Sequence, residues 1–474
     1  MQMFSRLAAH RACAIFALSA AATIASPAET LTTLLSFDGA NGAYPGYGSL
    51  VEGTDGNFYG TTLEGAGNGC SGGAGCGTVF KITPAGTLTT LHSFDSTDGA
   101  YPYGGLVQAA NGNFYGTTQS GGASTACLAG CGTVFSMTPG GALTTLHSFA
   151  ATDGATPLAA LVQTTSGDLW GTTYAAGANG CGTVFKITPA GTLTTVYNFA
   201  GPDGCHPLAA LVPASDGNLY GTTEAGGTGS CNCGTVFKIT TGGTLTTLYT
   251  FGGTTDGGYP IGALAVATNG NLYGTTSGGG SDSFGTVFQI TLGGTLTTLQ
   301  SFNGAHGDHP NGSLVQATDG NLYGTTYAGG GTGGFGTIFR ITLTGTLTML
   351  QSLDNTDGSA PLAGLIQGTG GELYGTTYSG GTDSEGTIFS LSVGLGPFVE
   401  TRPNYGKVGA PVEILGSDLT GTTSVSFGGV AAAFTIVSAT EITTTVPAGA
   451  ATGTVQVITP RGTLSSNVPF RVKP

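Results

Sequence analysis

The sequence predicts an all-β protein built from seven copies of one repeat and followed by a smaller β domain. Gly accounts for 88 of the 474 residues, and charged residues make up only 8%. Gly and Thr, the residues that dominate the repeats, are poor helix formers, which argues against a long helical protein. The 39% hydrophobic content argues against disorder, because it provides enough apolar surface for a packed core.

Three short strings define the repeat, and each occurs seven times in the same order. The first is Φ-(Y/W)-G-T-T, the second is G-T-(V/I)-F, and the third is close to T-L-T-T-L-x-S-F. The aromatic residues of the first string, spaced by 50 to 56 positions, are Tyr59, Tyr115, Trp170, Tyr220, Tyr273, Tyr323 and Tyr374. The second string opens at Gly77, Gly132, Gly182, Gly234, Gly285, Gly336 and Gly386.

Each repeat predicts four strands. Within residues 104–149 these are Leu106–Ala109, Phe114–Thr118, Thr133–Thr138 and Leu143–Phe149, separated by turn-forming Gly, Asn and Pro. Four antiparallel strands in about 50 residues, repeated in tandem, are typical of a β-propeller.

The phase of the repeat predicts that the propeller closes. The chain opens with a strand of the fourth type, Thr30–Phe37, and its last repeat ends with a strand of the third type, Gly386–Leu391. Pairing of these two segments would complete the last blade and remove two exposed sheet edges. The prediction is a seven-bladed propeller over residues 30–391.

The two longer connections of each repeat lie on one face of such a ring, where sequence variation is tolerated. One position there precedes a repeated Pro, and Thr156 and Ala360 occupy it in two repeats. Aromatic and imidazole side chains at the mouth of a ring suit stacking on sugars and bonding to hydroxyl groups. Packing between blades is the alternative for these side chains. The candidate ligand-binding residues are Tyr44, Tyr101, His206, Tyr259 and His309.

Most other polar positions predict structural roles. Asp residues such as Asp98 and Asp153 recur three positions before the candidate site residue and suit capping of turns. His92 and His147 fall on the fourth strand and are expected to be ordinary strand residues. Three acidic residues depart from the repeat and are expected in solvated loops, and these are Glu64, Glu224 and Glu385.

The first 28 residues resemble an export signal. Arg6 and Arg11 precede an apolar run, Ala12 to Ile24, that is too short to span a bilayer. We therefore expect the protein outside the cytoplasm, in the periplasm, at the cell surface or in the medium, with no further transmembrane segment. The formal net charge is −14, and such an acidic chain is a poor partner for nucleic acid.

Eight cysteines remain after residue 28, and an even number in an exported protein indicates disulfides. Their spacing does not match zinc knuckles, so no metal site is expected. We expect Cys70 to pair with Cys76 and Cys127 with Cys131, whereas Cys205 is within reach of either Cys181 or Cys231. A bridge from Cys231 to Cys233 would be a strained short ring. The eight residues are Cys70, Cys76, Cys127, Cys131, Cys181, Cys205, Cys231 and Cys233.

The strings G-N-(L/F)-Y-G-T-T, G-T-(V/I)-F-K-I-T and T-L-T-T-L-x-S-F resemble the bacterial GloVer tandem-repeat proteins, the "choice-of-anchor" group. The resemblance covers roughly residues 30–391 and implies an exported, surface-associated repeat protein without a known catalytic activity. This chain departs from the anchored members, because it ends Arg471-Val472-Lys473-Pro474 without an apolar helix and basic cluster.

Residues 397–474 form a second predicted domain. Val412-Glu413-Ile414-Leu415-Gly416, Val425-Ser426-Phe427-Gly428-Gly429 and Val446-Pro447 resemble an IPT/TIG domain. This resemblance implies an immunoglobulin-like β-sandwich. In other proteins such domains serve as spacers or interaction modules.

Taken together, these patterns predict a secreted or surface binding or scaffold protein whose partner is an extracellular glycan or a surface protein. We expect no cofactor and no catalysis, since the sequence contains no G-x-S-x-G, H-E-x-x-H or Walker motif. The alternative is an extracellular carbohydrate-active enzyme that uses the His206 and His309 side of the opening. The sequence leaves the oligomeric state open.

Overall fold

The computed structural model describes residues 29–67, 69, 70 and 73–473. The predicted export signal, residues 1–28, lies outside this part of the chain. Over the described residues the chain forms 38 β-strands and no α-helix, which confirms the all-β prediction there. Accordingly, no helix in the described ranges is long and apolar enough to cross a membrane.

Seven four-stranded antiparallel sheets follow one another along the repeats, and we number them I to VII. The first strands are β2 Val51–Glu52, β6 Val107–Gln108, β10 Val162–Gln163, β14 Val212–Pro213, β18 Ala265–Val266, β22 Val315–Gln316 and β26 Ile366–Gln367. The second strands are β3 Phe58–Thr62, β7 Phe114–Thr118, β11 Leu169–Thr173, β15 Leu219–Thr223, β19 Leu272–Thr276, β23 Leu322–Thr326 and β27 Leu373–Thr377.

The outer two strands of each sheet come from the second and third repeated strings. The third strands are β4 Thr78–Ile82, β8 Thr133–Met137, β12 Thr183–Ile187, β16 Thr235–Ile239, β20 Thr286–Ile290, β24 Thr337–Ile341 and β28 Thr387–Ser392. The fourth strands are β5 Leu88–Ser93, β9 Leu143–Ser148, β13 Leu193–Asn198, β17 Leu245–Thr250, β21 Leu296–Ser301, β25 Leu347–Ser352 and, for sheet VII, β1 Thr30–Ser36.

The repeated Thr residues hold each sheet to the connection that precedes it. In sheet II, Oγ1 of Thr118 on the second strand lies 2.8 Å from Oγ1 of Thr133 on the third strand, and both residues are fully buried. Oγ1 of Thr133 also donates to the carbonyl oxygen of Asp98, at 3.1 Å. A buried hydroxyl needs such partners, which explains why the motif carries Thr at both positions.

The N-terminal strand completes the last sheet, as the repeat phase predicts. β1 pairs antiparallel with β28, with Thr30 opposite Ser392 and Ser36 opposite Thr387. Each sheet also shares a cluster of buried apolar side chains with the next one. The seventh such cluster joins sheet VII to sheet I, where the rings of Tyr374 and Phe58 lie 4.0 Å apart. The series of sheets therefore closes on itself.

The last strands form a second unit with its own core. Its two four-stranded sheets have the orders β29-β31-β35-β34 and β33-β32-β36-β37, and β30 pairs with β38 in parallel. Buried Ile414 and Ile442 from one sheet pack in one cluster with Phe427 and Val457 from the other. The strands are β29 Val399–Arg402, β30 Tyr405–Gly406, β31 Pro411–Gly416, β32 Ser424–Phe427, β33 Val430–Ala432, β34 Phe434–Ile436, β35 Glu441–Thr445, β36 Val455–Thr459, β37 Gly462–Ser465 and β38 Arg471–Val472.

This second unit contacts the short turns of the ring where sheets VII, I and II meet. Nη1 of Arg402 donates to the carbonyl oxygen of Glu52 at 2.8 Å and to Oε1 of Gln108 at 3.3 Å. Oγ1 of Thr440 donates to the carbonyl oxygen of Thr54 at 2.9 Å. The opposite face of the ring, with the longer connections, is left uncovered by these contacts.

Candidate ligand-binding face

The longer connections of the ring form one face, which we call the long-loop face. It contains the loop between the second and third strands of each sheet and the connection from each fourth strand to the next sheet. One antiparallel bridge ties the connection to the loop that follows it, as between Ala100 and Ser120. The same bridge recurs at all seven junctions.

All seven residues that precede the repeated Pro have left-handed backbone, with φ between 52° and 60°. Residues other than Gly rarely adopt this conformation, and a non-Gly residue there costs about 1 kcal/mol or more. The five predicted site residues are among them, each at the equivalent place in its junction. We call this set the mouth ring, and its members are Tyr44, Tyr101, Thr156, His206, Tyr259, His309 and Ala360.

Two backbone hydrogen bonds impose this conformation. At the first junction, the amide of Tyr101 donates to the carbonyl oxygen of Cys76 at 2.8 Å, and its carbonyl oxygen accepts from the amide of Gln119 at 3.0 Å. Cys76 belongs to sheet I and Gln119 to sheet II. Each mouth-ring residue is thus hydrogen-bonded to two loops of neighbouring sheets. These bonds fix the position of its Cα atom, from which the side chain projects.

The residues that directly follow G-T-T lie beside the mouth ring. Tyr378 stacks on Tyr44 with ring centroids 5.1 Å apart, and Tyr174 stacks on His206 at 4.5 Å with an interplanar angle of 12°. The amide of Glu224, which occupies the same place in the next sheet, donates to the carbonyl oxygen of His206 at 3.0 Å. Sequence reasoning missed these partners. The sequence does contain one signal for them, namely the position directly after G-T-T. At all seven junctions the amide of that residue donates to the carbonyl oxygen of a mouth-ring residue.

Two further tyrosines, Tyr47 and Tyr103, form a second aromatic pair. Tyr47 stacks on Tyr103 with ring centroids 4.9 Å apart. Burial raises the pKa of Tyr47, the hydrogen bond with Tyr103 lowers it, and the charge of Glu224 raises it again.

The long-loop face is acidic. Every Lys and Arg between residues 29 and 391 lies on a third strand, at Lys81, Lys186, Lys238 and Arg340. Burial, followed by the hydrogen bond and the charge of Glu385, raises the pKa of the Tyr44 hydroxyl. Burial and then the charge of Glu224 raise the pKa of Tyr174 to about 12. A ligand on this face therefore meets hydroxyl groups, aromatic rings, imidazoles and carboxylates, without Lys or Arg side chains from its loops.

Two cavities open beside mouth-ring residues. One, of about 590 Å³, is lined by Tyr44, Glu64 and Glu385 together with the backbone around Gly39 and Gly67. The other, of about 550 Å³, is lined by Tyr101 and the loops around Cys70 and Gly121. Within the described ranges, no group of three or more His, Cys, Asp or Glu residues is arranged to hold a metal ion.

The Asp residues of the connections cap turns, as predicted. Oδ1 of Asp153 accepts a hydrogen bond from the amide of Ala150 at 2.9 Å. His92 and His147 lie on fourth strands, as expected, and their imidazoles also bond to Asp98 and Asp153. The fourth strand runs back alongside the connection, which brings residues six apart together.

All eight cysteines are paired in the structure. Cys70 pairs with Cys76 and Cys127 with Cys131, and the choice left open for Cys205 is resolved in favour of Cys181. Cys231 pairs with Cys233, against expectation. Asn232 between them has left-handed backbone with φ 57°, and the two Cα atoms lie 5.2 Å apart.

Comparison with solved structures finds similar folds at low identity. A fungal alcohol oxidase of the AA5 family in complex with copper has a TM-score of 0.51 at 14% identity, covering 94% of this chain and 99% of its own. At that identity the likeness concerns the fold and not the activity. PorZ, a surface component of the type-IX secretion system of Porphyromonas gingivalis, has a TM-score of 0.45 at 16% identity, covering 93% of this chain and 61% of its own. A putative 6-phosphogluconolactonase from Bacteroides fragilis NCTC 9343 has a TM-score of 0.43 at 19% identity, covering 76% and 90%.

Comparison with known sequences identifies the repeat. No curated protein matches the chain. The family model of the Gloeobacter/Verrucomicrobia repeat matches three overlapping segments, residues 9–128, 70–268 and 228–436. These matches cover all seven copies of the repeated strings, and the chain belongs to the Gloeobacter/Verrucomicrobia repeat family.

Proposed function

We propose that this is an exported binding or scaffold protein: a seven-bladed β-propeller that binds an extracellular glycan or surface protein on its long-loop face. The observation that carries the proposal is the mouth ring. Five of its seven members are Tyr or His in left-handed backbone, where Gly would be less costly. Strain kept at equivalent places is a reason to look for function there.

The propeller interpretation is supported by the seven sheets, by the pairing of β1 with β28 and by the apolar cluster between sheets VII and I. The second unit is proposed to be an immunoglobulin-like sandwich of the IPT/TIG type, since two antiparallel sheets share one core there. Its contacts with the short turns leave the long-loop face open, which suits a spacer that presents the propeller.

Export is supported by the four disulfides, which persist in oxidising compartments. They restrain the Gly-rich loops of the long-loop face, and ordering those loops otherwise costs conformational entropy. We propose an extracellular, periplasmic or cell-surface location, with Cys181–Cys205 joining two segments of the binding face.

The test is a glycan array probed with the purified chain, followed by the double variant Tyr101→Ala/Tyr259→Ala. Tyr259 is 43% exposed, so its truncation is expected to remove contact surface without opening a core. We expect the double variant to lose binding. The matched control is Thr156→Ala, which changes the same backbone position in a third repeat and is expected to leave binding unchanged.

A second candidate function is a carbohydrate-active enzyme, and one observation favours it. The amide of Glu224 donates to the carbonyl oxygen of His206 at 3.0 Å, and Tyr174 stacks on the His206 ring, so an imidazole and a carboxylate belong to one junction of the face. Turnover of a bound glycan that is lost in His206→Ala would support this alternative. Binding without turnover, retained in His206→Ala and lost in the Tyr101/Tyr259 variant, would support the binding role.

A further inference from the structure

Two glutamates break the repeat, and they do so at different places in it. Glu64 stands two residues after the G-T-T string, where the other six repeats have only small side chains. Those residues are Ser120, Ala175, Ala225, Gly278, Ala328 and Ser379. Glu385 stands just before G-T-(V/I)-F, where the other repeats have Cys or Phe. Those residues are Cys76, Cys131, Cys181, Cys233, Phe284 and Phe335.

Ring closure brings these two exceptions to the same mouth-ring residue. The amide of Tyr44 donates to the carbonyl oxygen of Glu385 at 2.8 Å. The backbones of Ala43 and Glu64 exchange two hydrogen bonds, at 2.9 and 3.1 Å. Both glutamates and Tyr44 line the same cavity of about 590 Å³. Because the other six junctions form without acidic residues here, closing the ring does not require them.

The groups in this cavity suit one kind of ligand. The ring of Tyr44 is stacked on Tyr378, and burial and then Glu385 raise the pKa of its hydroxyl. Oε2 of Glu385 is buried and has no hydrogen-bond partner among the described residues. A carboxylate oxygen buried without a donor is costly, and rotation of the Glu385 carboxylate toward the cavity would let a ligand N–H satisfy it. A positively charged donor adds attraction to both carboxylates and to the aromatic faces.

We propose that the cavity between Glu64, Tyr44 and Glu385 binds the ammonium group of an amino sugar. The sugar ring stacks on the Tyr44–Tyr378 pair, and the ammonium donates to Glu385 and Glu64. This inference rests on the glycan-binding function proposed above and adds the charge of the ligand. A neutral sugar leaves the carboxylates without a charged partner, and an anionic sugar is repelled by them.

The test compares two ligands that differ in charge. Calorimetric titration of the purified chain with the tetramer of glucosamine is set against the tetramer of N-acetylglucosamine, whose amide nitrogens carry no charge. We expect about tenfold tighter binding of the charged tetramer, as one charge-assisted hydrogen bond with a carboxylate can provide. High salt is expected to reduce this preference, because it screens charges near the surface.

The substitutions that test the site are taken from equivalent positions in the other repeats. Glu64→Ser and Glu385→Phe introduce the residues found at the equivalent places in other repeats, so folding is expected to be retained. The double variant is expected to lose the preference for the charged tetramer. Asp282→Ser is the control, because it removes one acidic residue from a loop of the same face in sheet V. It is expected to keep the preference.

The outcomes separate this inference from the proposed function. Equal affinity for both tetramers, or a preference that survives in the double variant, would show that the ammonium site is wrong, while glycan binding stands. A preference that appears only when calcium is added, and disappears with a chelator, would indicate a cation site and would also overturn the inference. Absence of binding to these tetramers and to every glycan on the array would refute the glycan-binding role as well.

Discussion

Nε2 of His147, on the fourth strand of sheet II, lies 2.8 Å from Oδ2 of Asp153, in the connection to sheet III. The other oxygen of the same carboxylate caps the turn at Ala150. One Asp side chain therefore joins a strand to the connection that carries the mouth ring. Tyr197 and Asp203 form the same pair one repeat later, at 2.5 Å.

This arrangement predicts a measurable loss of stability when Asp153 is truncated. Asp153→Ala removes two hydrogen bonds of a partly buried carboxylate, and we expect the free energy of unfolding to fall by about 2 kcal/mol. Asp357→Ala is the control, because Gln351 stands at the place of His147 there and makes no bond to Asp357. Its loss, measured by urea denaturation, is expected to be smaller. Equal losses would show that the hydrogen bond with His147 does not account for the contribution of Asp153 to stability.

The junction between sheets VII and I differs from the other six in one hydrogen bond. Oγ1 of Thr325 donates to the carbonyl oxygen of Ala363 in the next sheet at 3.1 Å. Its counterpart at the closure, Oγ1 of Thr376, is buried without a partner among the described residues. Sheet I contains one extra residue between Pro45 and Leu50 compared with the other repeats, and the accepting carbonyl of the other junctions belongs to this segment, as Ala363 does.

Replacing these two Thr residues by Val is expected to give different results. Thr325→Val leaves a buried carbonyl oxygen without its donor and is expected to cost about 1 kcal/mol of unfolding free energy. Thr376→Val replaces a hydroxyl that has no partner and is expected to be neutral or stabilising. Thermal denaturation of the two variants under the same conditions provides the measurement. A cost for Thr376→Val equal to that for Thr325→Val would mean that the hydroxyl at the closure is satisfied in solution.

Much of the ring could be predicted because its information is local. The string G-T-V-F predicts the third strand of sheet II as Thr133–Thr138, and the structure has Thr133–Met137. The phase of the repeat predicts the pairing of β1 with β28. In each case one short string determines a strand, and the repeat supplies the register.

The contacts that build the candidate site are not local, and for that reason the sequence does not reveal them. Tyr174 stacks on His206 only because two loops from different sheets meet at one junction. Glu64 and Glu385 come together only through ring closure. The hydrogen bond from Arg402 to the carbonyl oxygen of Glu52 likewise forms only because the second unit contacts the ring. No repeat pattern encodes that contact.

The disulfides predict a ranking of stabilities. Cys181–Cys205 spans 24 positions, whereas Cys127–Cys131 spans four. In the chain-entropy model the longer loop restrains the unfolded chain more, by about 1.5 kcal/mol. We expect Cys181→Ser/Cys205→Ser to lower the unfolding free energy more than Cys127→Ser/Cys131→Ser. The reverse order in denaturant titrations under non-reducing conditions would contradict this expectation.

Glu52 predicts how the stability of the ring depends on pH. Its carboxylate accepts hydrogen bonds from the amide and the hydroxyl of Thr369, at 2.8 and 2.7 Å, and so joins sheet I to sheet VII. Four other repeats use Gln at this place, as Gln367 does when it accepts from the amide of Thr318 at 2.9 Å. Burial raises the pKa of Glu52 to about 7 from 4.5, although Thr369 and Arg402 act in the opposite direction.

Because the pKa is higher in the folded state, the folded chain holds a proton that the unfolded chain releases between about pH 4.5 and 7. The contribution of this group is therefore most favourable below pH 4.5 and is lost as the pH rises through 7, by an amount on the order of 3 kcal/mol. Glu52→Gln keeps an acceptor for Thr369 and does not titrate. We expect the variant to match the wild type near pH 5 and to exceed its unfolding free energy at pH 8, measured by urea denaturation across this range. Because every other ionisable group is common to both proteins, the difference between their pH profiles reports on Glu52, and parallel profiles would show that its carboxylate is not buried in solution.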